Sequence, residues 1–247
     1  MKETLENIWL LSKNQFRRWF NQTELGKDLD YSRYKLVHNL TDRNTYKGYS
    51  WGQYHPDQLW QYFDDSMVKY EDGVFLLRTL KKPKEFDGIV IPFATGVVSS
   101  SNVYMYGYFE TDIFFPTSKQ QWPAFWLTGA ETWPPEIDVV EAYSKNDDYG
   151  DYRRFQPNVH YGNKMKIGAI NIPLPKLLCQ DYIKFGMEWQ ADYIKFYYNG
   201  YLVKVVYDKK VLDSMNQPMR VIINSAVERS DGAGNSVTAF TSPKIYQ

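Results

Sequence analysis

Residues 133–143 read Trp-Pro-Pro-Glu-Ile-Asp-Val-Val-Glu-Ala-Tyr, which places three carboxylates, Glu136, Asp138 and Glu141, on one apolar segment behind two prolines. Side chains alternate along a strand, so Glu136 and Asp138 share a face and Glu141 points the other way. One extra residue, a β-bulge between Asp138 and Glu141, turns Glu141 onto the carboxylate face. Two glutamates with an aspartate between them then face one cleft. Glycosidic bond cleavage needs such a set: one carboxylate as nucleophile and one carboxylic acid held protonated. Across the bulge the glutamates stand about four strand steps apart, roughly 13 Å between Cα atoms. Leaning side chains can close that to the ~5–5.5 Å of a retaining enzyme. From the spacing alone, an exposed strand with an acidic polar face fits as well, because like charges on one face are unfavourable but not forbidden.

The composition narrows the classes. A chain of 247 residues suits one large all-β domain and is ample for a core. Lys+Arg and Asp+Glu are both 29, so zero formal charge gives no electrostatic case for nucleic acid. Aromatics make up 17% of residues, with 21 Tyr, 14 Phe and 8 Trp. Flat rings stack on sugar faces, and they also favour strands, so the excess fits both a carbohydrate cleft and a β core. The single cysteine, Cys179, follows two leucines and reads as a buried thiol, with no intrachain disulfide possible. No apolar run approaches the ~18 residues of a membrane span. The first six residues lack a basic region followed by a long apolar core, so no signal peptide is expected in the chain as it stands.

The elements that must position the carboxylates follow from periodicity. Residues 4–20 place Leu5, Ile8, Trp9, Phe16, Trp19 and Phe20 at helical spacing, which predicts a short N-terminal helix packed on its own domain. Residues 21–65 are polar and Tyr-rich and read as loop with short strands. Thereafter strands are expected over 74–79, 95–101, 103–115, 124–127, 136–143, 158–161, 182–189 and 219–227. A hairpin of 193–198 and 201–206 turns on Asn199-Gly200, which favours a type I′ turn. Lys81-Lys82-Pro83-Lys84-Glu85 reads as a solvated loop. Short strands without a βαβ rhythm predict an all-β antiparallel sandwich or jelly roll. The organisation expected is one domain overall, with a lead-in over 1–65 and a catalytic core over 66–247.

Glu136-Ile-Asp-Val-Val-Glu141 resembles the active-site strand of glycoside hydrolase family 16 in its bulged form. Tyr106-Gly-Tyr-Phe-Glu110, Trp122-Pro-Ala-Phe-Trp-Leu127, Asn158-Val-His-Tyr-Gly162, Phe185-Gly-Met-Glu-Trp189 and Asp192-Tyr-Ile-Lys-Phe-Tyr-Tyr-Asn-Gly200 resemble family segments in the same order, over roughly residues 66–247. The resemblance implies a β-jelly roll of two stacked curved sheets with an open cleft, and retaining endo-hydrolysis of a β-linked polysaccharide. It implies Glu136 as nucleophile, Glu141 as acid/base and Asp138 as the neighbour that tunes the pair. It also implies Trp122, Trp126 and Trp133 along the sugar subsites, His160 near the cleavage point, and an extracellular place of action. A polysaccharide is the expected partner of a monomer. No cofactor is expected to be required; a structural calcium occurs in some members, and no site for one stands out in the sequence.

Each residue also has a plainer role. Trp122 and Trp126 share a face only if the chain stays extended through Pro123, and one of them can be core. Trp133 before two prolines reads as a loop residue at a cleft rim. By spacing alone His160 is a structural histidine, and His38 and His55 read as ordinary polar residues. No His/Cys cluster has transition-metal spacing. The chain departs from many β-1,3-glucan-cleaving members in lacking an arginine over Thr95-Gly-Val-Val-Ser-Ser100, and in a proline within Phe240-Thr-Ser-Pro-Lys-Ile-Tyr246. β-1,3-Glucan is the first choice of substrate; algal galactans (agar, porphyran, carrageenan) or a bacterial exopolysaccharide stay open. A non-catalytic lectin-like module or an adhesive surface protein would use the same aromatics, but neither needs a like-charged triplet.

Overall fold

Alternation of apolar residues with polar ones builds two antiparallel sheets in the computed structural model, which describes residues 8–10, 35–39, 52–144, 154–162, 165–167, 172–173, 181–229 and 233–247. The seven-stranded sheet contains β7 (Val97–Ser99), β9 (Ala124–Gly129), β10 (Glu136–Glu141), β11 (Arg154–Tyr161), β12 (Met165–Ile167), β13 (Ile172–Pro173) and β17 (Met219–Asn224). Its order is β12-β11-β10-β9-β17-β7, with β13 also on β11. The twelve-stranded sheet takes β1 (Ile8–Leu10), β2 (Leu36–Asn39), β3 (Gln61–Phe63), β4 (Val68–Glu71), β5 (Val74–Phe86), β6 (Ile89–Thr95) and β8 (Gly107–Phe114). It is completed by β14 (Ile183–Trp189), β15 (Ile194–Tyr198), β16 (Tyr201–Val206), β18 (Ser236–Thr241) and β19 (Lys244–Tyr246). Its main path is β1-β16-β15-β14-β8-β18-β5-β6-β3, and β3 pairs β6 in parallel.

The sheets stack through one core. Phe109, Ile113, Phe185, Met187 and Trp189 from the larger sheet join Phe125, Leu127, Ile137, Val159, Val221 and Ile223 from the smaller. All are fully buried. Burying each such side chain contributes about 1.5–3 kcal/mol, so the stack fixes the smaller sheet firmly behind its carboxylates. This is the jelly-roll architecture that the strand pattern predicted. Helix α1 (Lys209–Ser214) follows β16 and is capped by Asp208, whose side chain accepts from the amides of Lys210 and Val211. The 193–206 hairpin forms as expected, with Asn199 and Gly200 at φ of 48° and 81°.

Two expectations are corrected. Within the predicted helix over 4–20, Ile8–Leu10 is strand β1, antiparallel to β16; the rest of that segment lies outside the described residues. Ile-Trp-Leu favours strand geometry, and the β16 edge supplies backbone partners that outweigh a helical spacing of apolar residues. The predicted loop over 81–85 is instead the exposed far end of β5, paired with β6 through a register shift between Lys81 and Lys84. Pro83 sits within that shift, where a missing N–H costs no ladder bond. Lys84 lays its ammonium 4.7 Å from the Phe86 ring centre, so its charge does not oppose the strand. Cys179 lies outside the described residues, as does the side chain of His38.

One glycine on β14 has a steric reason. A Cβ on Gly186 would sit 2.1 Å from the Tyr108 hydroxyl and 2.8 Å from the ring carbon that bears it. Tyr108 is fully buried and bonded to Glu110, so it cannot swing aside freely. Gly186→Ala is expected to destabilise the fold by about 1–3 kcal/mol, the usual cost of overpacking. Thermal unfolding followed by circular dichroism checks this; an unchanged Tm would show that Tyr108 has room to move.

Candidate active site

The bulge is present on β10 and lies between Asp138 and Glu141. Against β11, Asp138 pairs Asn158 and Glu141 pairs Gln156, so Val139 and Val140 together oppose Pro157. Against β9, Asp138 pairs Trp126, Val140 pairs Phe125 and Glu141 pairs Ala124. Both valines belong to the core. Two successive side chains pointing inward is what returns Glu141 to the face of Glu136 and Asp138. All three carboxylates line one cleft of about 450 Å³.

Each glutamate has one indole donor and a second group beside it. Trp133 Nε1 donates to Glu136 Oε2 at 3.0 Å, and His160 Nε2 stands 3.3 Å from Glu136 Oε1. The same imidazole nitrogen lies 3.3 Å from Asp138 Oδ2. His160 pairs directly with Glu136 across the ladder, so both project from one face. The Asn158 amide nitrogen lies 3.1 Å from the same Nε2 and donates to it when that nitrogen carries no hydrogen. On the other side of the bulge, Trp122 Nε1 donates to Glu141 Oε1 at 3.0 Å, and the Tyr143 hydroxyl donates to the same oxygen at 2.9 Å. The Trp122 and Tyr143 rings stack at 5.3 Å with 25° between their planes. Glu136 thus accepts from an indole at Oε2 with the imidazole beside Oε1, and the Trp122 and Tyr143 bonds meet at Glu141 Oε1.

The supporting elements follow from polar residues in apolar runs. Trp133 rides on a loop tied down by Gln217, which accepts from the amide of Glu131 at 2.8 Å and donates to Thr132 Oγ1 at 2.8 Å. The indole remains 44% exposed, as a rim platform must be. Trp126, on β9, donates to Asn224 Oδ1 at 2.7 Å, which fixes its ring on the cleft side. Trp122, Trp126, Trp133 and His160 therefore gather around the carboxylates. His55, read from the sequence as an ordinary polar residue, instead lines the cleft wall with Gln58, Gln61 and Phe63. Gln61 holds that wall by accepting the Val227 amide at 2.6 Å. The segment 52–63 has no period that would have revealed this. Tyr143 was legible in principle, since beyond the bulge it shares Glu141's face at a spacing of two. Asn224 was visible as the polar end of the run Met219–Asn224.

Among the described residues, Glu136, Asp138 and His160 form a grouping close enough to hold a metal ion, with ligand atoms within 4.8 Å of one another. It lies in the cleft, with the imidazole nitrogen 3.3 Å from an oxygen of each carboxylate. It does not mark a structural calcium site away from the cleft.

Burial, then the charge of Asp138, pushes Glu136 well above the usual glutamate range; His160 and the Trp133 indole pull the other way. Burial and the Glu141 carboxylate keep the Tyr143 phenol protonated far above its ordinary range, so it remains a donor. The Trp133 indole should report the titration directly. Its Nε1–H resonance is expected to move with a midpoint above the ordinary glutamate range, and the step should vanish in Glu136→Gln. Proton–nitrogen NMR over pH 3–9 checks this; a midpoint at or below the ordinary value would contradict the burial argument.

Comparison with known proteins places this geometry. The model of Glycosyl hydrolases family 16 matches residues 56–240. The endo-1,3-1,4-beta-glycanase EglC of Rhizobium meliloti is 30% identical over 129 residues, which are 52% of this chain and 26% of that protein. The chain thus spans about a quarter of that relative's length. A beta-glucanase of Rhodothermus marinus is 24% identical over 77% of this chain and 70% of its own. Among solved structures, the laminarinase catalytic domain of Thermotoga maritima superposes with a TM-score of 0.72 at 20% identity, covering 87% of this chain and 98% of that one. The kappa-carrageenase of Pseudoalteromonas carrageenovora gives 0.63 at 15% identity, over 92% and 91%. The fold is shared with both. Because the family match takes in most of the chain and has the bulged carboxylate strand at its centre, the chain belongs to glycosyl hydrolases family 16.

Proposed function

We propose that the chain is a retaining endo-β-glycanase that acts on β-1,3-glucan or a mixed-linkage β-glucan by double displacement. The observation that carries this is the bulge that brings both glutamates, each held by an indole, onto one cleft face. Glu136 accepts from Trp133 at Oε2 and has the His160 imidazole 3.3 Å from Oε1, surroundings that suit the ionised form of a nucleophile. The Trp122 and Tyr143 bonds to Glu141 Oε1 hold the second carboxyl at the cleft as the acid/base. Glu136 would attack the anomeric carbon while Glu141 protonates the leaving oxygen; Glu141 would then take a proton from the water that hydrolyses the glycosyl-enzyme. Asp138 and His160 would hold Glu136 in line. The three tryptophans would stack on sugars either side of the cleavage point. The names of the relatives support β-glucan as substrate and an endo mode of attack. A polymeric glucan would be met outside the cell, so the place of action proposed is extracellular.

The Val97–Ser99 strand, where many β-1,3-glucan-cleaving members carry an arginine, has none, and Val97 lines the cleft. Galactans therefore belong in the test. Reducing-sugar release across laminarin, mixed-linkage glucan, agar, porphyran and carrageenan is expected to be greatest on a β-glucan. Proton NMR of the first product should show the β anomer, as retention demands. Release on none of them, with binding retained, would make the protein a lectin-like module. An initial α product would mean that the carboxyls stand too far apart for displacement by Glu136.

Glu136→Gln keeps shape and removes the nucleophile. It should lower turnover by at least ~10³-fold with binding retained. The folded-state pKa of Glu136 is raised, so its burial costs stability once pH passes the unfolded value, and the full cost applies above the folded one. The glutamine variant should therefore melt higher than the parent at neutral pH and equally at acid pH. Turnover close to the parent's would remove Glu136 from the reaction. Glu141→Ala should spare substrates with good leaving groups and be accelerated by azide, which needs no general base. Equal losses on activated and natural substrates without azide rescue would reassign the acid.

A further inference from the structure

Strand β16 reads Tyr-Leu-Val-Lys-Val-Val, and its lysine is inside the protein. Lys204 is fully buried, within the layer between the two sheets. Its backbone pairs Phe196 on β15, and its ammonium lies 5.2 Å from that ring's centre. Nζ donates to the carbonyl of Pro157 at 2.7 Å, across the core on β11. Pro157 is the residue that opposes Val139 and Val140, the two residues of the catalytic bulge. Having no N–H, a proline leaves the ladder short of a donor at that point, and its carbonyl is turned to the core for the ammonium.

We propose that Lys204 is a positioning residue for the catalytic carboxylates: from the opposite sheet it pins the strand facing the bulge and sets a positive charge behind Asp138. The proposal rests on Glu136 and Glu141 being the catalytic pair. An apolar core of this size has no need of an ammonium, and a buried cation is a poor stabiliser compared with a packed apolar side chain. Its place is explained by what lies on the other side of the strand. Asp138 is 4% exposed and acts electrostatically on Lys204. Burial brings the ammonium down to about 7, against the opposing pull of Asp138. The charge is thus present in acid and lost as pH rises through neutrality. The other titratable groups of the packed elements include Tyr198 on β15 and Tyr161 on β11, both in the core with raised phenols, Tyr197 on β15, which donates to Glu188, Tyr201 on β16 and Arg154 on β11. Glu136, Glu141 and His160 lie on the cleft side of β10 and β11. Lys195 and Glu188 pair with each other at 3.6 Å. Among these, Asp138 is the group that acts on the lysine's charge.

The experiment compares the full chain with Lys204→Met and Lys204→Arg. Lys204→Met should fold with a Tm at neutral pH no lower than the parent's, because methionine fills the space without a buried charge. Its kcat should fall roughly tenfold with little change in KM, as expected when a positioned catalytic group loosens. Both limbs of the kcat/KM profile should move to higher pH, since removal of a cation makes nearby carboxylates harder to ionise. Lys204→Arg keeps the charge and should hold the limbs near their parental positions. A methionine variant with parental kcat and limbs would overturn the proposal. So would a variant that loses activity only in proportion to lost Tm. Should methionine prevent folding, the ε-carbon NMR signal of Lys204 in Asp138→Asn decides. Its midpoint should fall by roughly 0.5–1.5 pH units, and an unmoved midpoint would overturn the proposal. If Glu136→Gln is fully active, the catalytic reading itself has failed. If that variant is dead while Lys204→Met is normal, the failure is confined to the lysine.

Discussion

Like charges on one strand face repel, and the bulge on β10 forces three carboxylates into that position. Two carboxylates at about 5 Å, in surroundings of effective dielectric near 20, oppose one another by roughly 3 kcal/mol. A hydrogen bond to a charged group returns about 1.5–3 kcal/mol. One donor per glutamate would barely offset the repulsion. Trp133 donates to Glu136, whose other oxygen has the His160 imidazole 3.3 Å away, and Trp122 and Tyr143 both donate to Glu141. The aromatic residues around the cleft are therefore more than platforms for sugar rings. They are the donors that make the acidic face tolerable, and each presents a flat apolar surface after its polar atom has been used.

Those donors come from different parts of the chain, and the fold exists to bring them to one strand. Trp122 comes just before β9, Trp133 on the loop before β10, Tyr143 just after β10, and the His160 imidazole on β11. Gln217, just before β17, holds that loop through the amides of Glu131 and Thr132. Asn224 at the end of β17 sets Trp126. A second wall, from residues 52–63, is anchored by Gln61 to Val227 and by the Trp60 indole to the same residue's carbonyl. The rigid element is the seven-stranded sheet, held from behind by the core. Its loops and the added wall are where specificity among β-glycans is most readily altered.

Much of this was legible in the sequence because its signals are local. Three carboxylates in six residues of apolar strand permit the bulge that aligns them, and the resemblance of the surrounding segments decided for it over an exposed acidic strand. Asn199-Gly200 fixes a hairpin by its backbone preference alone. The order of segments around the carboxylates gave the jelly roll. What was not legible depends on contacts distant in sequence. Ile8–Leu10 satisfies a helical spacing and a strand equally, and only the open edge of β16 decides between them. Residues 81–85 look like a loop by charge, yet β6 provides a ladder across the proline. His55 carries no pattern at all; its place at the cleft follows from a parallel pairing of β3 with β6 that no short-range rule predicts.

The same separation explains Lys204. Within its own strand the residue is an anomaly, a cation in a run of valines whose burial opposes folding. Its acceptor is 47 residues away in the chain, on a strand of the other sheet, at the position facing the bulge. Viewed through the sandwich, charge alternates: carboxylates on the cleft face, one ammonium beneath them, and an apolar layer around it. A carboxylate cluster buried without a cation would shift its own pKa values upward until it neutralised, and a neutral cluster offers no nucleophile. A lysine held from below moderates that shift and leaves the cleft face open for sugar. An arginine in the cleft could supply the same charge only by occupying space that the substrate needs. Placing the cation in the core therefore resolves two demands that conflict on the surface, and the cost appears as a buried charge in a fold with enough apolar contact to tolerate it.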